Sequence, residues 1–130
     1  MSESPFGTWN GVEPWPIFDG VGIQAIGGDQ VLMCRATYQP GTTVKRHAHE
    51  ATEQLMLIIA GSLEMTIGDE KKLMGVGDVA VVNRGVEHEL YSAEGVSFIE
   101  ALSPVPLDHV PDRERDLVLG DLGGSLHVEK

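Results

Sequence analysis

Two histidines separated by one residue, His47 and His49, and a third at His88 are the side chains of this sequence best suited to chemistry. In an extended backbone alternate side chains share a face, so His47 and His49 would point the same way. Neutral imidazoles with a carboxylate or amide oxygen nearby suit a first-row divalent metal. A histidine pair of this kind is common, however, and two surface histidines in a polar loop would fit it equally well.

The composition indicates one globular domain and excludes several classes of partner. The chain has 130 residues and a formal net charge of −11, which argues against nucleic acid and anionic membranes as partners. Cys34 is the only cysteine, so no intrachain disulfide can form. Neither a signal peptide nor an apolar run long enough to span a membrane is evident. We therefore expect a cytoplasmic protein.

Short apolar segments alternate with turn residues through most of the chain, which predicts an all-β sandwich or barrel. The predicted strands are Val21–Ile26, Val31–Tyr38, Leu55–Ala60, Leu63–Ile67, Leu73–Met74, Val79–Val82, Glu87–Tyr91 and Val96–Leu102. No part of this region shows a helical apolar stripe over three turns.

The two ends of the sequence lack this pattern. We predict an irregular N-terminal arm at 1–20, a barrel at 21–106, and a tail at 107–130 that packs on the barrel or is partly disordered. In the arm, Trp9 and Trp15 are expected to cover apolar surface in this subunit or a partner. His109 and His127 in the tail are interpreted as bystanders.

The spacing around the first two histidines resembles the first motif of the cupin superfamily. Gly41, five residues, His47-Ala-His49, four residues, Gln54, six residues and Gly61 fit that motif, with Gln54 where glutamate is usual. A second segment resembles the second motif: Gly77, five residues, Asn83-Arg84-Gly85, two residues and His88. Here Asn83 replaces a proline and Ser92 replaces the final asparagine. Two motifs in the right order are far more specific than either alone.

The resemblance implies a double-stranded β-helix of the jelly-roll type with one divalent metal ion (iron, manganese, nickel or zinc) inside the barrel. The ligands carried over from the motifs are His47, His49, Gln54 and His88. Glu53 is the alternative to Gln54, which we prefer because its distance to Gly61 is the one the family keeps. An inward Gln54 would also place Met56, Ile58 and Ala60 on the inner face.

Three further residues are candidate catalytic groups. Glu100 lies in the mostly apolar segment Val96–Leu102, so it would either border the site as a general acid or base, beside Phe98 and Leu102, or face solvent. Arg35 and Tyr38 precede the first motif, and because side chains alternate, at most one of them faces the cavity. Arg35 would suit a substrate carboxylate, and Tyr38 could donate a hydrogen bond.

The ligand pattern is similar to that of small cupins that convert ring-closed unsaturated uronates to linear keto acids. The arginine that such proteins carry shortly after the strand acid is absent here, because residues 103–108 contain none. We therefore expect a metal-dependent isomerase, lyase or dehydratase acting on a small carbonyl or carboxylate substrate. The alternatives are an Fe(II) dioxygenase and a non-catalytic ligand-binding cupin. The resemblance also implies a homodimer formed through the barrel edge and the N-terminal arm.

Overall fold

Turns at glycine divide the chain into antiparallel strands, and no helix occurs in the part described. The computed structural model describes residue 6, residues 8–9, 15–18 and 20–105. The strands are β1 (Trp15–Phe18), β2 (Val21–Gly27), β3 (Leu32–Tyr38), β4 (Thr42–His47), β5 (Glu53–Gly61), β6 (Leu63–Ile67), β7 (Glu70–Met74), β8 (Val79–Val82), β9 (His88–Ser92) and β10 (Val96–Ser103). The all-β prediction is confirmed.

The strands form two sheets whose apolar faces make a single core. One sheet has six strands in the order β1-β2-β3-β10-β5-β8, and the other has four in the order β4-β9-β6-β7. Ile58 and Phe98 from the larger sheet share the core with Leu63, Met65 and Leu90 from the smaller one. Burying a side chain of this size stabilises the fold by about 1.5–3 kcal/mol. The non-consecutive strand order and the two facing sheets make a jelly roll.

Strict alternation along β3, β5 and β10 decides which side chains reach the interior. In β3, the buried residues are Leu32, Cys34, Ala36 and Tyr38, while the residues between them point outward. The ring of Tyr38 meets Phe98 of β10 edge-on, with 5.3 Å between the ring centroids. This interior face of the larger sheet is the one that carries polar side chains into the core.

Two strands were not predicted from the sequence, and one residue that was expected to face inward is exposed. Residues 15–18 form β1, which pairs with β2, so this part of the expected irregular arm is a strand. β4 was missed because Lys45 and Arg46 interrupt its alternation. Ala60 is exposed rather than inward, because the pairing of β5 with β10 shifts register between Ser97 and Phe98. The tail at 107–130, with His109 and His127, lies outside the described residues.

β5 ends at Gly61, a position that no residue with a side chain could occupy. Its φ is +78°, and a Cβ atom there would clash with the carbonyl oxygen of Gly95. That same carbonyl accepts a hydrogen bond of 3.2 Å from the backbone N–H of Ser62. The glycine that ends the first motif is therefore required by the close approach of two chain segments.

Within the described ranges, the structure contains no helix long and apolar enough to cross a membrane.

Candidate metal centre

The pairing of β4 with β9 brings the three motif histidines together. His47 lies directly opposite His88 in the smaller sheet, and His49 follows two residues after His47. The ring centroids are 4.2 Å apart for His47 and His88, 5.1 Å for His47 and His49, and 5.3 Å for His49 and His88. One ring nitrogen from each residue lies within 4.8 Å of the others. Three histidines are thus positioned to bind one metal ion.

A bulge in β4 turns His47 toward the interior. Val44 is buried, so uninterrupted alternation would bury Arg46 and expose His47. The register with β9 shifts between Val44 and His47 instead, which leaves both Lys45 and Arg46 exposed. Bulges of this kind re-aim side chains next to functional sites.

Arg46 holds the bulge from outside. Its guanidinium donates to Glu87 at 3.0 Å, to Glu89 at 3.4 Å and to the carbonyl oxygen of Gly68 at 2.9 Å. Arg46 was not singled out from the sequence. The signal was present, however, because two consecutive basic residues before His47 break the alternation that begins at Thr42.

Backbone carbonyls orient two of the imidazole rings. Nδ1 of His47 lies 2.6 Å from the carbonyl oxygen of Lys45, and Nδ1 of His88 lies 3.1 Å from that of Val86. Because a carbonyl only accepts, each Nδ1 carries the proton and each Nε2 keeps its lone pair. This is the arrangement that metal-binding histidines commonly have in proteins.

The second motif contains His88, and it also holds the loop of His49 by a backbone hydrogen bond. His49 lies in the loop after β4 and is 7% exposed. Its carbonyl oxygen accepts a hydrogen bond of 2.9 Å from the backbone N–H of Gly85, which has a φ of +76°. The turn before β9 therefore fixes the loop that carries His49.

Gln54 presents to the interior an amide oxygen that accepts no hydrogen bond from the described part of the chain. The side chain is buried on the inner face of β5, and its Nε2 donates to Oε1 of Glu100 at 2.5 Å. Oε1 of Gln54 is buried and has no hydrogen-bond partner among the described residues. A buried amide oxygen without a partner is costly, and a divalent cation would satisfy it. Gln54 thus fits a metal ion as the predicted fourth ligand.

The alternative ligand does not share this position. Glu53 is exposed, because neighbouring residues of β5 lie on opposite faces. The preference for Gln54, which rested on its spacing to Gly61, agrees with the face on which the structure places each residue.

Glu100 is a buried carboxylate beside Gln54. It is 4% exposed and lies on the inner face of β10 with Phe98 and Leu102, so the solvent-facing alternative is wrong. Burial, reinforced by the charge of Glu100, raises the pKa of Tyr38 far above its usual value. The same two causes, in the same order, raise the pKa of Cys34. Tyr38 therefore remains a phenol and can act as a hydrogen-bond donor.

The structure brings Tyr38 to the site but not Arg35. A cavity of about 30 Å³ is lined by the three histidines, Gln54, Glu100, Tyr38, Val21, Ile23, Ala36, Val44 and Leu90. Arg35 lies on the opposite face of β3 and does not line this cavity. The small volume holds a few water-sized groups.

A jelly roll with three converging histidines is typical of a class of metal-binding β-proteins. Comparison with known protein families identifies the family. Residues 34–101 match the family model described as "Cupin domain", and the chain belongs to the cupin family.

Relatives of this chain include a named bacterial cupin. The pectin degradation protein KdgF of Dickeya dadantii (strain 3937) is 29% identical over 98 residues, which span 73% of this chain and 89% of that protein.

Among solved structures, a cupin described as RmlC-like from Shewanella frigidimarina NCIMB 400 has a TM-score of 0.77 at 21% identity. It covers 83% of this chain and 97% of its own. KdgF from Halomonas sp. has a TM-score of 0.66 at 20% identity, with 70% and 86% covered. At these identities the structures support the fold alone.

Proposed function

We propose that this protein is a metal-dependent enzyme that transfers a proton on a small metabolite bearing a carbonyl or carboxylate group. The observation that carries the proposal is the buried pair of Gln54 and Glu100 next to the three histidines. Binding alone would not require a carboxylate buried in an apolar core, because such burial costs free energy. A proton-transfer site does require one within reach of the substrate.

The residues that would hold the metal ion are His47, His49, His88 and Gln54. When bound, a divalent ion polarises a carbonyl or carboxylate oxygen and so favours loss of a proton from the neighbouring carbon. A neutral amide at position 54 would leave more of the ion's positive charge uncompensated than a glutamate would.

Each of the surrounding side chains has a separate role. The carboxylate of Glu100 accepts the proton from substrate carbon and returns it to another position, while Gln54 Nε2 fixes the carboxylate by its hydrogen bond. Tyr38 donates its phenolic hydrogen to a substrate oxygen in the cavity. The apolar side chains of Val21, Ile23 and Leu90 exclude bulk water from the reacting end.

The substrate class is suggested by the relative with the name pectin degradation protein, although this chain departs from the uronate-linearising pattern in lacking an arginine at 103–108. Ring-opened and ring-closed unsaturated uronates are therefore the first compounds to test. Small hydroxy acids and keto acids are the second group.

Replacing Glu100 by glutamine tests the proposal directly. The protein loaded with manganese, nickel or zinc is incubated with these compounds in D₂O, and deuterium incorporation and conversion are followed by NMR. We expect Glu100→Gln to lose conversion by about 10²-fold or more while it retains its metal. Glu94→Gln, at an exposed position, is the matched control and should behave as the wild type.

Other results would contradict the proposal and identify one of the alternatives. Conversion by Glu100→Gln at the wild-type rate would exclude a role for this carboxylate. Oxygen uptake by the iron-loaded protein with a chelating substrate would identify a dioxygenase. Ligand binding without any conversion would identify a non-catalytic cupin.

A further inference from the structure

A cleft lies between the free edges of the two sheets. β7 is the last strand of the smaller sheet and β8 is the last strand of the larger one. The cleft between them has a volume of about 220 Å³, and its lining residues are Met65, Ile67, Glu70, Lys72, Met74, Val79, Ala80 and Val81. It is larger than the cavity at the histidines and shares no lining residue with it. Met65 and Met74 are the most deeply buried of these residues, so the cleft offers an apolar surface to other side chains.

The backbone of β8 presents hydrogen-bonding groups on its open edge. Ile58 of β5 donates its N–H to the carbonyl oxygen of Asp78, which fixes the pairing at the start of β8. Because bonded and non-bonded pairs alternate in an antiparallel ladder, Ala80 exchanges hydrogen bonds with β5, whereas Val79 and Val81 turn their groups away from it. Neither valine has a backbone partner on that side in the part of the chain that the structure describes. The open edge of β8 can therefore pair with one more strand.

The sequence beyond the described residues contains a segment that suits this edge. The longest apolar run after residue 107 is Leu117-Val118-Leu119, which follows Arg115 and precedes Gly120. Leucine and valine pack well on sheets, and in an extended backbone the two leucines point to the same face.

The point at which β10 ends allows this segment to reach the cleft. Leu102 of β10 and Val82 of β8 are both level with Gln54 of β5, so the chain leaves the larger sheet at the Val82 end. From Val105 to Leu117 the chain advances 12 residues. These span up to about 40 Å when extended, whereas two strand spacings and a few residues along β8 amount to about 20 Å. A strand that enters at the Val82 end runs antiparallel to β8, which requires no crossover connection.

We propose that the tail of this chain adds a strand to the open edge of β8, with Leu117 and Leu119 packed on the methionines of the cleft. The backbone groups of Val79 and Val81 pair with this added strand, which is how sheet edges bind extended peptides. The added strand also protects an edge that is otherwise open to pairing with other chains. Because the cleft shares no residue with the metal site, this proposal stands or falls independently of the proposed function.

The charges at the cleft fit the direction in which the tail enters it. Glu70 lies at the end of β7 nearer the histidines, which is the end where the tail arrives. Alternation places Arg115 on the same face as the two leucines and ahead of them, so Arg115 meets Glu70. Lys72 lies farther along β7, and its ammonium group is already 3.9 Å from the carboxylate of Asp78.

Hydrogen exchange of single amides in the full chain, followed by NMR, tests the contact. In the wild type we expect the N–H groups of Val79 and Val81 to exchange as slowly as that of Ala80, which β5 protects in any case. Leu119→Asp should raise exchange at the two valines at least about tenfold and leave Ala80 unchanged. Val110→Asp is the matched control, because it places the same charge in the tail outside the apolar run, and it should behave as the wild type.

A charge exchange tests the direction of the added strand. Arg115→Glu and Glu70→Arg should each raise exchange at Val79 and Val81 by about two- to fivefold, and the double variant should restore the wild-type rate. A double variant that exchanges as fast as the single ones would overturn this register. Fast exchange at both valines in the wild type, or no response to Leu119→Asp, would overturn the proposal. Slow exchange that is lost on dilution would show that a second copy supplies the strand, which would overturn a contact within one chain.

Discussion

Gln54 is the residue at which this chain departs from the usual first motif, and its surroundings give the change a physical reason. A glutamate there would place a second carboxylate against Glu100, and two adjacent carboxylates cannot both ionise readily in a buried site. The amide avoids this, because its N–H group donates to Glu100 while its oxygen remains for a cation. The glutamine thus links the candidate metal ligands to Glu100 by a hydrogen bond.

The buried thiol of Cys34 leads to a prediction about the stability of the fold at high pH. Burial and the charge of Glu100 raise the pKa of Cys34, so the folded chain keeps this proton where the unfolded chain loses it, above pH of about 8.5. The unfolded state then binds fewer protons, and the free energy of unfolding falls as the pH rises. We expect the wild type to lose up to about 1.4 kcal/mol more per pH unit than Cys34→Ala.

Urea denaturation of both proteins between pH 7 and pH 10 measures this difference. The two curves should run parallel below pH 8 and converge above pH 9. Curves that stay parallel throughout would show that the thiol titrates normally in the folded protein.

At the scale of the elements, the strand β4 decides whether the histidines converge. Its bulge reverses the face of His47, and Arg46 contacts Glu87, Glu89 of β9 and Gly68 beside it. The ion pairs are exposed, so they contribute little to stability on their own. We infer that their effect is on the direction of His47.

We therefore predict that Arg46→Ala weakens metal binding more than it weakens the fold. Outer contacts that orient a ligand typically change metal affinity by 10- to 100-fold, and we expect about tenfold here. Competition with a chromophoric chelator gives the affinity, and thermal unfolding gives the stability. Lys71→Ala removes a comparable exposed ion pair, with Glu64, on strands β7 and β6, which do not pair with β4, and should change neither quantity. Equal metal affinity in both variants would exclude this role for Arg46.

The strands that could be predicted from the sequence are those bounded by glycine turns and alternating regularly. β6 and β8 have the predicted limits, Leu63–Ile67 and Val79–Val82. β4 could not be predicted because a bulge breaks the two-residue period on which the inference depends. β1 could not be predicted because it is short and contains a proline. The candidate metal ligands were predicted from motif spacing, and the structure places three of them, the histidines, close together. Whether Arg35 or Tyr38 faces the cavity depends on register with neighbouring strands, which the sequence alone leaves open.

At the scale of the whole molecule, the larger sheet separates a cavity lined with polar side chains from an apolar outer face. The interior between the sheets carries the histidines, Gln54 and Glu100 in a narrow cavity. The outer face of the larger sheet carries exposed apolar side chains.

The central claim is that the three histidines and Gln54 bind one divalent metal ion, and elemental analysis tests it most directly. Untagged protein is prepared without chelator beside a variant in which His47 and His49 are both alanine. We predict about one equivalent of iron, manganese, nickel or zinc in the wild type and its loss in the variant, with circular dichroism unchanged. No metal in either protein, even after reloading, would contradict the claim and make the histidines acid–base or ligand-binding groups.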